Sequence, residues 1–233
     1  MIPIVLRRSR PFSFLLVGLL GACTRHDVDI EPPSAGRSLS SDERSEVQRI
    51  SDATFREVRD KLEGLPPRLT LIVRWGKDVI PETGENGAAA FPGNVGWTLD
   101  PDRDALVIIR TQLRPSLVHE LHHLARASRV SSRSLVDRVV AEGLATVFER
   151  EVAGVDPPWG KSAPEIMAWT KEILAQPEGA DQEPWMGRHP DGRRWVGMRV
   201  GTFLVDRACR ASGKTAAQLA FTASAEIVRL AAL

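Results

Sequence analysis

The sequence predicts an α+β fold in which a small N-terminal β-sheet packs on a mainly helical body. Two observations predict it: segments rich in β-forming residues occur only in the first half of the chain, and helical spacing of apolar residues dominates the rest. The 233 residues and 42% hydrophobic content suit one domain with a buried core, preceded by a targeting segment. With a formal net charge of +1, nucleic acid is not expected as a partner. No feature of the sequence indicates an oligomeric state.

Residues 1–22 are expected to be a targeting segment outside the fold. Three arginines within residues 7–10 form a basic start, and residues 12–20 form an apolar stretch too short to span a bilayer. The stretch ends in Leu-Gly-Ala-Cys, which resembles a bacterial lipobox with Cys23 as the lipidated residue. We therefore expect a membrane partner through a lipid anchor.

The residue after the cysteine indicates where the anchored protein would lie. Thr24 stands there instead of Asp, and by resemblance to the sorting rule of Gram-negative lipoproteins this favours the periplasmic face of the outer membrane of the cell envelope. The alternative is an ordinary secretory signal cut after Ala22, which would release the protein into the periplasm.

The elements of the first half follow from spacing and turn residues. Residues 23–40 lack an apolar period and are predicted to be a tether, so the domain is expected to span residues 41–233. A helix should start near Ser41, capped by Ser40 or Ser41, and end before the Gly and Pro residues at 64–67. Strands are then predicted in three segments, around a long loop or hairpin region: Leu69 to Trp75, Gly96 to Leu99 and Ala105 to Arg110.

The second half reads as helical, because apolar residues recur three and four apart. A polar loop is expected at residues 176–194. The main predicted helices are Pro115 to Ala127, Ser132 to Val152, Pro164 to Ala175, Trp195 to Ala211 and Ser224 to Ala232.

The predicted helix after Pro115 contains the motif His-Glu-x-x-His. His119 and His123 are four residues apart, so both can point from one helix face at one cation, with Zn²⁺ as the expected cofactor. Glu120 is turned away from that face but can reach the water that the metal activates, and is the expected catalytic base. The alternative is a surface helix that carries histidines by chance.

A third protein ligand would define a catalytic zinc site, which keeps one position open. Eighteen residues separate His123 from Glu142, which resembles the gluzincin spacing H-E-x-x-H-x18-E. Glu142 also lies on an apolar stripe with Leu135 and Val139, where a carboxylate needs a partner. An ion pair with an arginine across the helix pair is the alternative role for Glu142.

The segments VHELHH and AEGLATVFE together resemble a bacterial family of predicted zinc-dependent proteases, whose members read H-E-[aromatic]-H-H and then E-G-L-A. A later stretch, Trp195 to Val205, is similar to the family pattern W-x-G-[YM]-R-x-G-x-x-[VIL]-V. The resemblance covers residues 68–232. It implies a zincin-like fold, metal ligands at His119, His123 and Glu142, a base at Glu120 and a peptide or protein substrate. The sequence departs from the pattern at Leu121, where an aromatic residue is common, and at Met198, where Tyr is expected.

The donor that stabilises the oxyanion is left open by the sequence. Many gluzincins use Tyr or His, and this chain contains no Tyr. His189 is the remaining histidine candidate for a catalytic role, with Arg194 and Arg199 as cationic alternatives; His189 could equally be a plain loop histidine. His122 is expected to pack at the helix edge, with support of a metal-ligating side chain as the alternative role.

The function that these observations favour is peptide-bond hydrolysis by a lipid-anchored zinc peptidase. Two other classes stay open: a metal-binding envelope lipoprotein without catalysis, and a structural or chaperone-like one. The predicted strand at Asn94 to Thr98 is one candidate for the edge that pairs with an extended substrate. Its alternative role is that of a simple hairpin arm.

Overall fold

The computed structural model of the chain describes residues 26–31 and 36–232 and has the predicted α+β architecture. The targeting segment and Cys23 lie outside the described residues. The strands are β1 (Val28–Glu31), β2 (Leu69–Trp75), β3 (Glu85–Ala90) and β4 (Asn94–Leu99). The helices are α1 (Ser41–Lys61), α2 (Ala105–Ala127), α3 (Leu135–Ala153), α4 (Ile166–Leu174), α5 (Glu183–Met186), α6 (Val196–Ser212), α7 (Ala216–Leu219) and α8 (Ser224–Leu230). Among the described helices, none combines the length and the apolar character that crossing a membrane requires.

The four strands form one sheet in the order β1-β2-β4-β3. The first three are parallel, and β3 runs antiparallel to β4 at the free edge. Alternate side chains of β2 and β4 are buried, as expected for strands with one face on a core. Trp97 of β4 is among the largest fully buried side chains of that core.

Strand β1 lies within the segment that was expected to be a tether. Val28 is fully buried and stands opposite Leu69 of β2. Its backbone N–H donates to Asp52 of α1 over 3.0 Å. Four residues of the expected tether therefore belong to the folded domain. The buried valine and the pairing with β2 place them there, and the segment is too short to show an apolar period in the sequence.

The prediction of a strand at Ala105 to Arg110 is wrong, since these residues form the first turns of α2. Asp104 caps the helix by accepting from Val107 N at 3.2 Å. Fully buried apolar residues then recur four apart, at Ile109, Leu113, Leu117 and Leu121. This packing outweighs the β propensity of the branched residues. Pro115 therefore lies inside the helix and not at its start.

The proposed role of Asn94 to Thr98 as the free edge of the sheet is also wrong. These residues lie in β4, which is hydrogen-bonded on both sides, to β2 and to β3. The free edge next to α2 belongs to β3, within the region that was expected to be a loop or hairpin. Six residues of β3 pair with β4 in a regular register.

The helical body forms around α2, which contacts α1, α3 and the edge strand β3. Ser40 caps α1 in a capping box with Glu43, as predicted for this boundary. Helix α3 crosses α6 with Gly143 directly against Gly201. Apart from α2, which starts ten residues before its predicted start at Pro115, the predicted helices of the second half are present with small shifts at their ends, and α5 lies within the expected polar loop.

Candidate metal centre and catalytic cleft

The structure brings His119 and His123 of α2 together with Glu142 of α3. The Nε2 atoms of the two histidines are 3.1 Å apart. Each lies 3.3 Å from Oε2 of Glu142. Among the described residues, these three are the group that could hold a metal ion. His119 and Glu142 are buried, and His123 is partly exposed.

The spacing of the three candidate ligand atoms is compatible with zinc. Zinc binds imidazole nitrogen and carboxylate oxygen at about 2.0–2.1 Å with tetrahedral geometry, so two ligand atoms in one shell lie about 3.3–3.4 Å apart. The observed triangle, with sides of 3.1, 3.3 and 3.3 Å, is close to one face of such a tetrahedron. Three protein ligands leave the fourth position open, as in catalytic sites.

The carboxylate of Glu142 divides its two oxygens between different partners. Oε2 faces the histidines, and Oε1 lies 2.8 Å from Nε of Arg138, one turn earlier on α3. Burial alone would raise the pKa of Glu142, but the charges and hydrogen bonds of His123 and His119 outweigh it and hold this pKa well below its usual range. The alternative role of Glu142 was an ion pair with an arginine across the helix pair, but Arg138 lies on the same helix, and the two histidines face the other oxygen.

Glu149, which sequence reasoning missed, holds the outer side of His119. Its Oε2 lies 3.1 Å from Nδ1 of His119, and the carboxylate is buried. Burial raises the pKa of Glu149. With Nδ1–H donating to this carboxylate, Nε2 is left free as the metal ligand and the ring orientation is fixed.

Replacing Glu149 by Gln should weaken zinc binding by about 10- to 100-fold, the usual effect of losing a carboxylate behind a ligating histidine. Glu151→Gln is the matched control, since Glu151 lies on the same helix but contacts the backbone N–H of Ala216. Titration of both variants with zinc against a competing chelator gives the affinities. Wild-type affinity in Glu149→Gln would contradict the orienting role.

Glu120 points from α2 at the edge strand and does not belong to the ligand triangle. Its Oε2 accepts a hydrogen bond from the backbone N–H of Ala89 over 2.7 Å. Gly87 provides the space for Oε1, because a Cβ built there would lie 2.8 Å from that oxygen. The sheet edge therefore holds the Glu120 carboxylate beside the candidate metal ligands. A base that takes a proton from a metal-activated water would be needed at this position.

A second buried carboxyl, Glu85, lies at the start of β3 and also lines the cleft. Its Oε2 accepts from the indole N–H of Trp97 at 2.7 Å, and Ser116 hydrogen-bonds to the same side chain. Burial raises its pKa, and the nearby charge of Glu120 adds to the shift. Glu85 joins β3 to β4 beneath Glu120. It was missed because this segment looked like a loop.

All of these groups open into one cleft of about 890 Å³. Residues of the edge strand β3 line it together with His119, His123 and Glu142, the candidate metal ligands. The wall contributed by the segments after α3 is mostly apolar and includes Val155, Pro157, Trp159, Met186, Trp195 and Met198.

The sequence candidates for oxyanion stabilisation are not among the described residues that line this cleft. His189 packs on the ring of Trp185 and its Nδ1 lies 2.9 Å from Asp191. Arg194 pairs with Glu82, and Arg199 donates to the carbonyl of Pro158. The contacts of His189 lie within its own loop, and the structure does not bring it together with the three candidate metal ligands.

Two further side chains from the sequence analysis are placed in the packing. His122 is fully buried beside Phe148, with ring centroids 5.4 Å apart, and burial holds its pKa well below the usual value. It was expected at the helix edge. Cys209 is half-buried, and burial raises its pKa to about 11, which suits a packing role better than a nucleophilic one.

Comparison with known proteins identifies the family. Residues 47–229, which run from within α1 to within α8, match the model of the family described as Predicted Zn-dependent protease (DUF2268). No curated protein and no solved structure matches the chain. The match covers most of the chain and includes His119, His123, Glu120 and Glu142. The chain therefore belongs to this family of predicted zinc-dependent proteases.

Proposed function

We propose that the protein is a zinc-dependent peptidase of the gluzincin type, with His119, His123 and Glu142 as ligands and Glu120 as base. The observation that carries this proposal is the triangle of ligand atoms, whose sides of 3.1 to 3.3 Å suit a tetrahedral zinc ion with one open position. Family membership supports the zinc-dependent protease class.

The residues around the site divide the chemistry between them. A zinc ion at such a site supplies Lewis acidity, which polarises a carbonyl group and activates water near neutral pH. Glu120 takes a proton from the attacking water and delivers it to the leaving amine. The backbone N–H of Ala89 holds Glu120 in place for both transfers, and Glu149 holds His119.

The substrate is proposed to be an extended peptide that lies along β3. Gly87, Ala88 and Ala89 of this edge strand line the cleft, and an unpaired strand edge can add a peptide by backbone hydrogen bonds. The apolar wall with Trp159 and Trp195 favours apolar side chains in the peptide. An inactive metal-binding lipoprotein is the other candidate, but zinc binding alone does not require Glu120 at its position on the sheet edge.

Zinc quantitation of the purified protein, together with cleavage of a broad peptide library, tests the proposal. About one zinc per chain is expected, with cleavage abolished by a chelator and restored by zinc. Bound zinc without cleavage of any peptide would favour the metal-binding lipoprotein, and no bound metal would reject both.

Gly87→Ala should lower peptide cleavage by about 10- to 100-fold while zinc stays bound, because the new Cβ displaces Glu120 and small displacements of a catalytic group are costly. Gly96→Ala on the neighbouring strand is the matched control, since a Cβ there meets no atom closer than 3.8 Å. Steady-state kinetics on one library-derived peptide compares the two variants. Equal activity in both would show that Glu120 does not depend on this space.

We also propose that the protein is lipid-anchored through Cys23 at the periplasmic face of the outer membrane. The lipobox-like end of the targeting segment supports this proposal, and release into the periplasm is the alternative. Cys23→Ser should move the protein from the membrane fraction to the soluble fraction, because stable anchoring needs the acyl chains. Fractionation followed by mass analysis of the N-terminal peptide is the measurement. An unmodified wild-type protein in the soluble fraction would contradict the anchor.

A further inference from the structure

Peptide hydrolysis places negative charge on the carbonyl oxygen, and donors aimed at that oxygen are a major source of rate enhancement. The following inference rests on the proposed peptidase function. The chain contains no Tyr, and His189, Arg194 and Arg199 are not among the described residues that line the cleft. The donor has to come from another residue.

Two cationic side chains other than the ligand histidines line the cleft among the described residues: Arg126 and Arg138. Arg126 is buried, and its guanidinium donates to the carbonyls of Ala220 and Thr222 and to the hydroxyl of Ser224. Its guanidinium is therefore hydrogen-bonded to the segment around α8. Arg138, in contrast, has a side chain that is 50% exposed.

The guanidinium of Arg138 forms an ion pair with the candidate metal ligand Glu142. Its Nε lies 2.8 Å from Oε1 of Glu142, the ligand whose other oxygen faces His119 and His123. No acceptor among the described residues pairs with its terminal nitrogens. We propose that these terminal N–H groups bind the carbonyl oxygen of the scissile peptide and stabilise the oxyanion, which makes Arg138 a catalytic residue.

The proposed reaction adds water to the carbonyl group and then breaks the C–N bond. The water oxygen bonds to the carbonyl carbon and its proton passes to Glu120, while the electron pair of the C=O bond moves onto the oxygen beside Arg138. When the C–N bond breaks, that electron pair re-forms the carbonyl and Glu120 gives the proton to the leaving nitrogen. Arg138 donates hydrogen bonds in this step and takes no part in the proton transfers.

The competing explanation is that Arg138 only positions Glu142. In that case the loss of Arg138 would lower the affinity for zinc and, with it, the affinity for every probe that binds through zinc. An oxyanion donor predicts a different pattern, in which zinc affinity is retained and only ligands with a tetrahedral anionic group lose affinity.

Two probes separate these roles in the zinc-loaded protein: an N-phosphoryl dipeptide, which carries tetrahedral anionic oxygens, and a mercaptoacyl dipeptide, which binds zinc through a thiolate. Arg138→Ala should bind the phosphoryl probe at least tenfold more weakly, and the thiol probe and zinc within about twofold of wild type. For peptide cleavage, kcat should fall with KM little changed, the pattern of an interaction made in the transition state. Arg138→Lys should recover part of the loss. Arg133→Ala, at an exposed position outside the cleft lining, is the matched control.

Equal losses for both probes with reduced zinc affinity would overturn the proposal in favour of the positioning role. Unchanged binding of the phosphoryl probe would overturn it outright. If Arg138→Ala discriminates between the probes but the wild type cleaves no peptide, the anion contact of Arg138 stands and the peptidase function fails.

Discussion

Glu120→Gln is expected to keep its zinc and its fold while losing at least ~10²-fold in turnover, the usual contribution of a positioned base. Gln is nearly isosteric, and its carbonyl oxygen can still accept from the backbone N–H of Ala89, which now lies 2.7 Å from the Glu120 carboxylate. What it loses is the ability to carry a proton between water and the leaving amine. Zinc content should be unaffected because Glu120 is outside the ligand triangle.

Glu142→Gln provides the contrast. It removes a negative charge from the ligand set and leaves Arg138 without its carboxylate partner, so zinc affinity itself should fall. Zinc content and cleavage of one library-derived peptide are measured for both variants and for wild type. If Glu120→Gln cleaved peptides as fast as wild type, the proposed mechanism would be untenable and the inactive metal-binding lipoprotein would become the better hypothesis.

The centre of the site could be predicted because its geometry is local. The spacing of four between His119 and His123 places both on one helix face whatever the rest of the fold does. Glu142 was reachable by a second local rule, since a carboxylate on an apolar helix stripe requires a partner. The distances in the structure agree with both arguments.

The same stripe contained the signal for Glu149. Starting from Leu135, the positions Val139, Glu142, Thr146 and Glu149 follow at intervals of four, three, four and three, and all five are buried. A second carboxylate on this stripe also needs a partner, and it finds His119. The stripe extended by one more turn, from Thr146 to Glu149, predicts that this second carboxylate also has a partner.

Features that depend on tertiary packing were not predictable in this way. The branched residues at 107–109 favour a strand locally, and the burial of Ile108 and Ile109 against the core favours their place in α2. The edge position of β3 depends on strand order, which no local pattern specifies. The orientation of His189 is set by Trp185 and Asp191, contacts within a loop that the sequence left undefined.

The crossing of α3 and α6 depends on two glycines, and it determines where Glu142 stands. A Cβ at Gly201 would lie 2.0 Å from the carbonyl oxygen of Val139 and 2.9 Å from the backbone nitrogen of Gly143. These are backbone atoms of the helix that carries Glu142, so no side-chain rotation can relieve the clash. The two helices would have to separate, and α3 would move relative to α2.

Gly201→Ala should therefore destabilise the protein although Ala is the better helix former by about 1 kcal/mol. Overpacking typically costs about 1–3 kcal/mol and occasionally more, and a backbone clash of this size belongs at the upper end, so a fall of several degrees in Tm is expected. Gly197→Ala, one turn earlier on α6, is the control, because its Cβ chiefly meets the flexible end of Met186. Thermal unfolding at one fixed zinc concentration compares them, since bound zinc stabilises the folded state by itself. Zinc affinity should fall in Gly201→Ala alone, because the displaced backbone adjoins Glu142. A Gly201→Ala protein as stable as Gly197→Ala would show that the helices can separate without cost.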